Sequence, residues 1–380
     1  MKTVRRNSSI ELLRLLAMLM VVCNHFVQYS PLYKALPYWP AGITKFVFQV
    51  VFMSGGWFGD VLFFAISVWF LLDKTTGFRD SCRRVWVLER ELLFWSLILF
   101  GLTVFAKWQG IYQQGIAKLA VESVFPIASG LWWYPTSYAL FLLFMPFLVK
   151  GLRVLGKRSH CVLSVVMLLL WSNLISLFPF DAAYPSVLLF TGWAVAIAYY
   201  RWYIKPLSTK ACLLLVLVGL GVASAYWTVA NVFSAVTGAV SFQTELAFCY
   251  RTPGMLMAFG VFLLAERAPF YSGVLNWIAQ SAFGVYLIHC YPSTLNWWSH
   301  SGIVDSIVHS NHPLLGSLCF VLTLFLICLL LDIVRHLLFT VSLDRRRGRM
   351  FDVLFARIEK TRWYCRFIAQ TAACEAEEER

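Results

Sequence analysis

The chain has few charged residues. Asp, Glu, Lys and Arg make up 13% of its 380 residues, whereas hydrophobic residues make up 60% and aromatic residues 17%. A typical soluble domain is about 25% charged and about 45–50% apolar. A soluble protein of this composition would expose large apolar patches, which soluble monomers rarely do. The composition therefore excludes an ordinary soluble domain and predicts an integral membrane protein.

The chain also lacks the cysteine spacing of a disulfide framework or a metal-binding domain. Its ten cysteines are scattered, mostly inside apolar runs, and no two form a Cys-x-x-Cys pair. Such cysteines act as small hydrophobic residues. We therefore predict no disulfide framework, no metal site and no tightly bound cofactor. The irregular spacing of a late polar segment favours a solvated loop over a metal centre; its ionisable residues are His300, Asp305, His309 and His312.

Long apolar runs occupy most of the chain. A membrane-spanning helix needs roughly 20 mostly apolar residues and satisfies its own backbone hydrogen bonds. The sequence predicts an all-α integral membrane fold with about ten such helices, in one domain over residues 1–340. The predicted spans lie near residues 10–30, 56–73, 89–106, 132–149, 162–178, 184–200, 211–230, 247–265, 273–293 and 314–337.

The basic residues predict the orientation of these spans. With the N-terminus in the cytoplasm, alternate loops on the cytoplasmic side hold most of the Lys and Arg residues, and the outer loops hold only four: Lys34, Lys45, Lys107 and Lys118. The positive-inside rule then places both termini in the cytoplasm. The net charge of +13 follows from these loops and requires no nucleic-acid partner.

The C-terminal segment, residues 341–380, is predicted to be a cytoplasmic tail. Apolar residues recur at helical spacing after four arginines within five residues, which indicates a basic amphipathic helix on the inner leaflet. The tail ends in an acidic cluster. The apolar positions of the predicted helix are Met350, Phe351, Leu354, Phe355 and Ile358. The cytoplasmic Lys and Arg residues of the C-terminal part begin with Arg335, at the end of the last span.

Ionisable residues inside spans are costly and are usually functional. The first span holds Glu11, Arg14 and His25. Glu11 and Arg14 are three residues apart and share a helix face. His25 lies eleven residues beyond Arg14, on nearly the same face and about 16 Å further along the helix. We interpret His25 as a general base. The alternative is that Arg14 marks the span end and His25 hydrogen-bonds a neighbouring helix.

Three more ionisable residues lie near the outer ends of their spans. Asp60 follows a Gly-rich stretch at the start of the second span. Because an outer loop joins the first two spans, we expect Asp60 at a depth similar to that of His25, where an acid can orient an imidazole; the alternative is an interfacial acid that reaches water. His289 in the ninth span and Arg251 in the eighth either face a polar cavity or anchor their helices at the interface.

Several of these residues belong to stretches that resemble the membrane acyltransferase-3 family. In the first span, an acidic residue lies three positions before an Arg, and a His follows that Arg after ten intervening residues. The resemblance also includes a Phe-Phe motif in the second span and a late Tyr-Leu-Ile-His motif. Val68 stands where the family has Gly, and Asp60 lies one position before the family's acid. The matching stretches are 10–14 with 21–25, 63–67, 83–84 with 94–96, 131–138 with 146, and 284–289.

The resemblance implies an enzyme of the bacterial inner (plasma) membrane. It would move an acyl group, often acetyl, from acyl-CoA as co-substrate to a hydroxyl of a carbohydrate or lipid-linked glycan. The predicted catalytic residues are His25 and Asp60. The predicted donor-binding residues are Arg14, Glu11, Arg83, Arg84 and Arg90, and the predicted acceptor-side residues are His289, Tyr286, Arg251 and Ser67.

We expect direct transfer, because no spacing singles out a Ser or Cys for an acyl-enzyme relay. Two other classes stay open. One is a polysaccharide exporter or flippase whose intramembrane charges line a path. The other is a partner-binding membrane component without catalytic activity. Consumption of labelled acetyl-CoA by the purified protein distinguishes the enzyme from the exporter.

Overall fold

The computed structural model describes residues 6–72, 77–169, 186–240, 248–342 and 349–361, without the side chains of residues 186 and 248–252. Within these ranges every regular element is helical, which confirms the predicted all-α class. The helices are α1 Ser8–Tyr29, α2 Leu32–Ala35, α3 Ile43–Val47, α4 Ser54–Leu71, α5 Phe78–Trp108, α6 Ala117–Val124, α7 Pro126–Ser129, α8 Trp133–Leu169, α9 Ser186–Tyr203, α10 Thr209–Thr237, α11 Phe248–Arg267, α12 Gly273–Ile278, α13 Ala282–His289, α14 Pro292–Ser299, α15 Gly302–Val308, α16 Pro313–Val341 and α17 Arg349–Glu359.

Five of the described helical stretches are long and apolar enough to cross a membrane. They contain or overlap the first, second, fourth, fifth, seventh and tenth predicted spans. The third, sixth, eighth and ninth predicted spans are also helical where they are described, apart from a turn at residues 290–291, but they do not meet the same criteria, so the count of ten stays a prediction. The five stretches are Ser8–Tyr29, Ile43–Leu71, Trp133–Leu169, Thr209–Thr237 and Pro313–Val341.

Two predicted spans differ in detail from the helices observed. The long α8 continues from the fourth predicted span into the fifth across a kink at Gly156, whose φ of 69° lies in the left-handed region that favours glycine. Residues 170–178 of the fifth span lie outside the described ranges. The ninth predicted span consists of α12 and α13, joined by a short 3₁₀ turn at Ala279–Ser281.

The centre of the bundle is α1, which packs against α4, α11, α13 and α16. The Gly-rich start of α4 makes the closest approach. A Cβ added at Gly59 would overlap the carbonyl oxygen of Ala17, and one at Gly56 would lie 2.5 Å from Asn24 Cγ. Small residues at such positions let two helix backbones approach closely. The same stretch therefore places the next residue, Asp60, beside α1.

The predicted tail helix is present as α17, and it packs against the start of α5. Arg79 and Arg83 lie 3.8 and 3.5 Å from the carboxylate of Asp352. The buried ring of Phe351 lies 6.4 Å from that of Trp86. Basic residues of α5 thus hold the tail helix, and its placement on the inner leaflet stays a prediction.

Candidate active site

Two histidines from distant parts of the chain meet inside the bundle. His25 lies on α1, and His289 is the last residue of α13. His25 Nδ1 lies 2.9 Å from His289 Nε2. The two side chains are 7% and 0% exposed. The fold therefore joins two residues that the sequence assigned to separate roles.

The hydrogen bonds of His289 determine which ring nitrogens carry protons. His289 Nδ1 lies 2.6 Å from the carbonyl oxygen of Val285, one turn earlier on α13. Because a carbonyl oxygen only accepts, this network assigns the proton to Nδ1 and leaves Nε2 of the neutral ring as an acceptor. His289 Nε2 then accepts from His25 Nδ1–H. His25 Nε2, which takes no hydrogen bond from the described residues, keeps a free lone pair.

A thiol lies against both rings. Cys290 Sγ is 3.1 Å from His25 Nδ1 and 3.3 Å from His289 Nε2. From its spacing in the sequence, this cysteine is one of ten that are expected to act as small hydrophobic residues. Its position directly after His289 was the one available signal, but the second imidazole comes from a residue 265 positions away.

A cavity of about 440 Å³ opens beside His25, and we call it the His25 cavity. This volume lies within the range of about 300–1,000 Å³ that is usual for small-molecule sites. Aromatic rings and neutral polar side chains line it, and among the described residues no Asp, Glu, Lys or Arg does. The rings are those of Tyr29, Trp132, Trp133 and Tyr286, and the polar groups include Gln114, Asn296, Ser299 and His300.

Asp60 faces the interior but does not contact His25 among the described contacts. It lines a cavity of about 10 Å³, which has room for about one water molecule. No hydrogen bond or ion pair joins Asp60 to His25 within the described ranges. His289, not the Asp60 expected from the sequence, is the partner beside the His25 ring, at its Nδ1. The one-residue offset in α4 leaves Asp60 facing the aromatic side chains of Phe63, Tyr134, Phe283 and Tyr286.

A third cavity, of about 370 Å³, lies on the far side of these aromatic side chains; we call it the Arg14 cavity. Phe63, Tyr134 and Phe283 line both this cavity and the small one, and Tyr286 lines both the small cavity and the His25 cavity. The three cavities therefore follow one another through the bundle. The polar groups of the Arg14 cavity are Arg6, Arg14, Ser67, Glu91, Tyr138, Gln280, Arg335 and His336.

Arg14 reaches its cavity while it is paired with Glu11. Its Nη1 lies 3.1 Å from Glu11 Oε2, as their shared helix face predicts. Ser67, which was expected on the acceptor side, lines the Arg14 cavity instead. It lies seven residues beyond Asp60, about two turns further along α4, and so opens to the other side of the aromatic side chains.

Arg335 is a further cation of the Arg14 cavity, beside Arg6 and Arg14, and its place in the sequence assigned it to the basic tail instead. Arg335 lies on α16 and is 5% exposed. Its Nε–H and Nη2–H donate to both carboxylate oxygens of Asp332 at 2.7 and 2.8 Å. Its Nη2 also lies 3.0 Å from Glu91 Oε1. Trp95 Nε1–H donates to Asp332 at 2.8 Å. An Asp and an Arg three residues apart in an apolar run were the available signal.

The remaining predicted residues lie elsewhere or outside the described side chains. Arg83 pairs with Asp352 of α17, and neither Arg84 nor Arg90 lines the Arg14 cavity. Glu91, the residue after Arg90 on α5, does line it. The side chain of Arg251 is not described.

The late polar segment forms surface helices α14 and α15 rather than a plain loop. His309 and Asp305 pair there at 3.4 Å while both are exposed. His300, which follows α14, lines the His25 cavity and contacts the Ser299 hydroxyl at 2.9 Å. One of the four ionisable residues of this segment thus belongs to the site.

The family model covers most of the residues that line the three cavities, but not Arg6, Arg335 and His336 of the Arg14 cavity. Residues 7–333 match the family model described as an acyltransferase domain. This range runs from the residue before α1 into α16 and includes Asp332 but stops short of Arg335. Neither a curated protein nor a solved structure matches the chain. The family match and the apolar helices together indicate a multi-pass membrane protein with acyl-transfer activity. The chain belongs to the acyltransferase-3 family.

Proposed function

We propose that the protein transfers an acetyl group from acetyl-CoA to a hydroxyl of a cell-envelope carbohydrate or lipid-linked glycan. The family supports acyl transfer in general. The observation that carries the proposal is the His25–His289 pair, whose 2.9 Å contact leaves a free imidazole nitrogen on a residue that lines a cavity of about 440 Å³.

His25 is the general base of the proposed reaction. Its Nε2 takes the proton of the acceptor hydroxyl as the hydroxyl oxygen attacks the thioester carbonyl. The imidazolium that forms keeps its Nδ1–H bond to His289 Nε2, and its Nε2 proton then passes to the leaving CoA thiolate. A positioned base typically contributes about 10²–10⁴ in rate. His289 takes the orienting role that an acid has in other His-dependent sites.

The Arg14 cavity is the proposed entry for the donor, on the cytoplasmic side. CoA carries phosphates, and guanidinium groups bind phosphate through paired hydrogen bonds. Arg14 is held by Glu11 and Arg335 by Asp332, so both cations are fixed before a ligand arrives. Preorganised charges of this kind need little rearrangement on binding.

The path from the Arg14 cavity to His25 suits a thin chain. Arg14 and His25 are about 16 Å apart along α1, and the aromatic side chains between them leave only about 10 Å³. The pantetheine arm is a narrow flexible chain, and it passes between these aromatic side chains when they change rotamer. A sugar ring is far larger than this opening, so the geometry favours acyl transfer over the export of a glycan.

The His25 cavity is the proposed acceptor site. Its aromatic rings offer flat apolar surfaces, and its amide, hydroxyl and imidazole groups offer hydrogen bonds to hydroxyls. Among the described residues its lining holds no charged Asp, Glu, Lys or Arg, which suits a neutral sugar better than an anionic donor.

The test is acetyl transfer by purified protein with [¹⁴C]acetyl-CoA and extracted envelope glycans. His25→Ala is expected to lose about 10²–10⁴ in rate while it stays folded and inserted. His160→Ala is the matched control, because His160 is also a buried histidine but binds the Val195 carbonyl on α9, away from all three cavities. Near-normal transfer by His25→Ala would contradict the proposal.

A further inference from the structure

Three potential metal-ligand atoms converge at the His25–His289 contact. His25 Nδ1, His289 Nε2 and Cys290 Sγ form a triangle with sides of 2.9, 3.1 and 3.3 Å. A point about 1 Å above the plane of this triangle lies about 2.05 Å from each corner. That distance equals a Zn–N bond, and a small rotation of the cysteine gives the Zn–S length of about 2.3 Å.

We propose that His25, His289 and Cys290 form a binding site for a thiophilic divalent metal ion such as Zn²⁺, and that the bound ion switches off the general base. The switch rests on the proposed function, whereas the metal-binding site does not. Within the described ranges this is the group of His, Cys, Asp and Glu side chains whose ligand atoms are close enough to share one ion. The cysteine spacing predicted no metal site, because only the fold brings these three residues together.

The chemistry of the three side chains matches this class of ion. Two imidazoles and one thiolate are ligands that Zn²⁺ and its soft analogues favour. A metal-bound histidine usually donates its other ring N–H to a carbonyl or carboxylate. His289 Nδ1 already does so to Val285 O at 2.6 Å, which leaves Nε2 for the ion.

The site has a route for the ion and room for a fourth ligand. His25 and Cys290 both line the His25 cavity, so an ion reaches them from that cavity, and a water molecule completes a four-coordinate shell. Binding converts the Cys290 thiol to a thiolate and releases one proton to solvent. No redox step is involved.

The bound ion removes the base through the tautomer of His25. A metal on Nδ1 requires a lone pair there, so the ring proton moves from Nδ1 to Nε2. The nitrogen that accepts the hydroxyl proton in the proposed reaction then carries a proton itself. His25 ligates the ion but no longer acts as a base, so acyl transfer stops until the ion leaves.

Binding is tested with Co²⁺ on the full-length protein in detergent, without an activity assay. Wild type is expected to show a thiolate-to-Co²⁺ charge-transfer band that one equivalent of Zn²⁺ abolishes. Cys290→Ser is expected to lose the band. His300→Ala is the matched control, because His300 lines the same cavity outside the cluster, and it keeps the band. Absence of the band in wild type, or its persistence in Cys290→Ser, overturns the site.

Two measurements keep the test decisive if Cys290→Ser fails to fold. The first uses wild type only: Zn²⁺ is expected to protect Cys290 from alkylation, as read by peptide mass spectrometry, and unchanged alkylation overturns the site. The second is acetyl transfer by wild type, which Zn²⁺ is expected to inhibit and chelation to restore. Binding without inhibition overturns the switch and leaves the site in place.

Discussion

Replacing His289 with Leu is expected to slow acyl transfer without removing the base itself. The change deletes the acceptor that lies 2.9 Å from His25 Nδ1. A buried donor left without a partner costs about 1–3 kcal/mol, and the Cys290 thiol nearby is only a weak acceptor. His25 avoids this cost by moving its proton to Nε2, which removes the catalytic lone pair. At about 1.4 kcal/mol for each factor of ten, kcat is expected to fall about 5- to 150-fold.

The assay compares kcat for acetyl transfer from [¹⁴C]acetyl-CoA in three variants. His289→Gln retains an acceptor oxygen and is expected to recover part of the loss. Asp60→Asn removes the acid that the sequence placed beside His25, and it is expected to cost less than His289→Leu because no described contact joins the two side chains. A His289→Leu rate within about twofold of wild type, or a larger loss in Asp60→Asn, would refute the assignment of His289 as the orienting group.

Three further outcomes are expected. Glu11→Gln combined with Arg14→Gln, which avoids leaving a buried acid unpaired, should raise KM for acetyl-CoA with little change in kcat; unchanged KM would contradict donor binding in the Arg14 cavity. Gly284→Ala should lower the free energy of unfolding by about 1–3 kcal/mol, because its Cβ would overlap the Asp332 carboxylate. Thermal unfolding measures this against Gly221→Ala, a helical position with open space around its Cβ, and equal melting temperatures would contradict it. Addition of Zn²⁺ should slow wild-type transfer reversibly, as measured before and after chelation, and unchanged rates would contradict the metal switch.

The fold class and one helix of the site could be predicted from the sequence because they depend on local patterns. Low charge and long apolar runs predict membrane helices at any position. The spacing from Glu11 to Arg14 and on to His25 is fixed by helix geometry alone, so one helix was enough to place a cation and an imidazole at opposite ends. The observed 3.1 Å pair of Glu11 and Arg14 follows from the same geometry.

The partners of these residues could not be predicted, because they come from distant parts of the chain. His289 lies 264 residues beyond His25, and α13 is aligned against α1 by packing that one sequence does not reveal. The same limit applies to Arg335. Its position near the end of an apolar run suits a cytoplasmic flank, and only its contacts with Asp332 and Glu91 show that it is buried.

Asp60 shows how a one-residue shift changes a role. The sequence placed it at the depth of His25, and the structure agrees that it faces the interior. Yet one position on a helix is a rotation of about 100°, and the close α1–α4 contact at Gly59 fixes that rotation. Asp60 therefore lines the small cavity between the two large ones.

The central claim is that the protein esterifies a hydroxyl with the acetyl group of acetyl-CoA through His25. The most direct measurement incubates purified wild type and His25→Ala with [¹⁴C]acetyl-CoA and extracted envelope glycans, then separates the carbohydrate. Wild type is expected to place label in a carbohydrate fraction from which mild base releases it as acetate, and His25→Ala is expected to show about 10²–10⁴ less. Equal labelling by both proteins, or no base-labile label with wild type, would contradict the account.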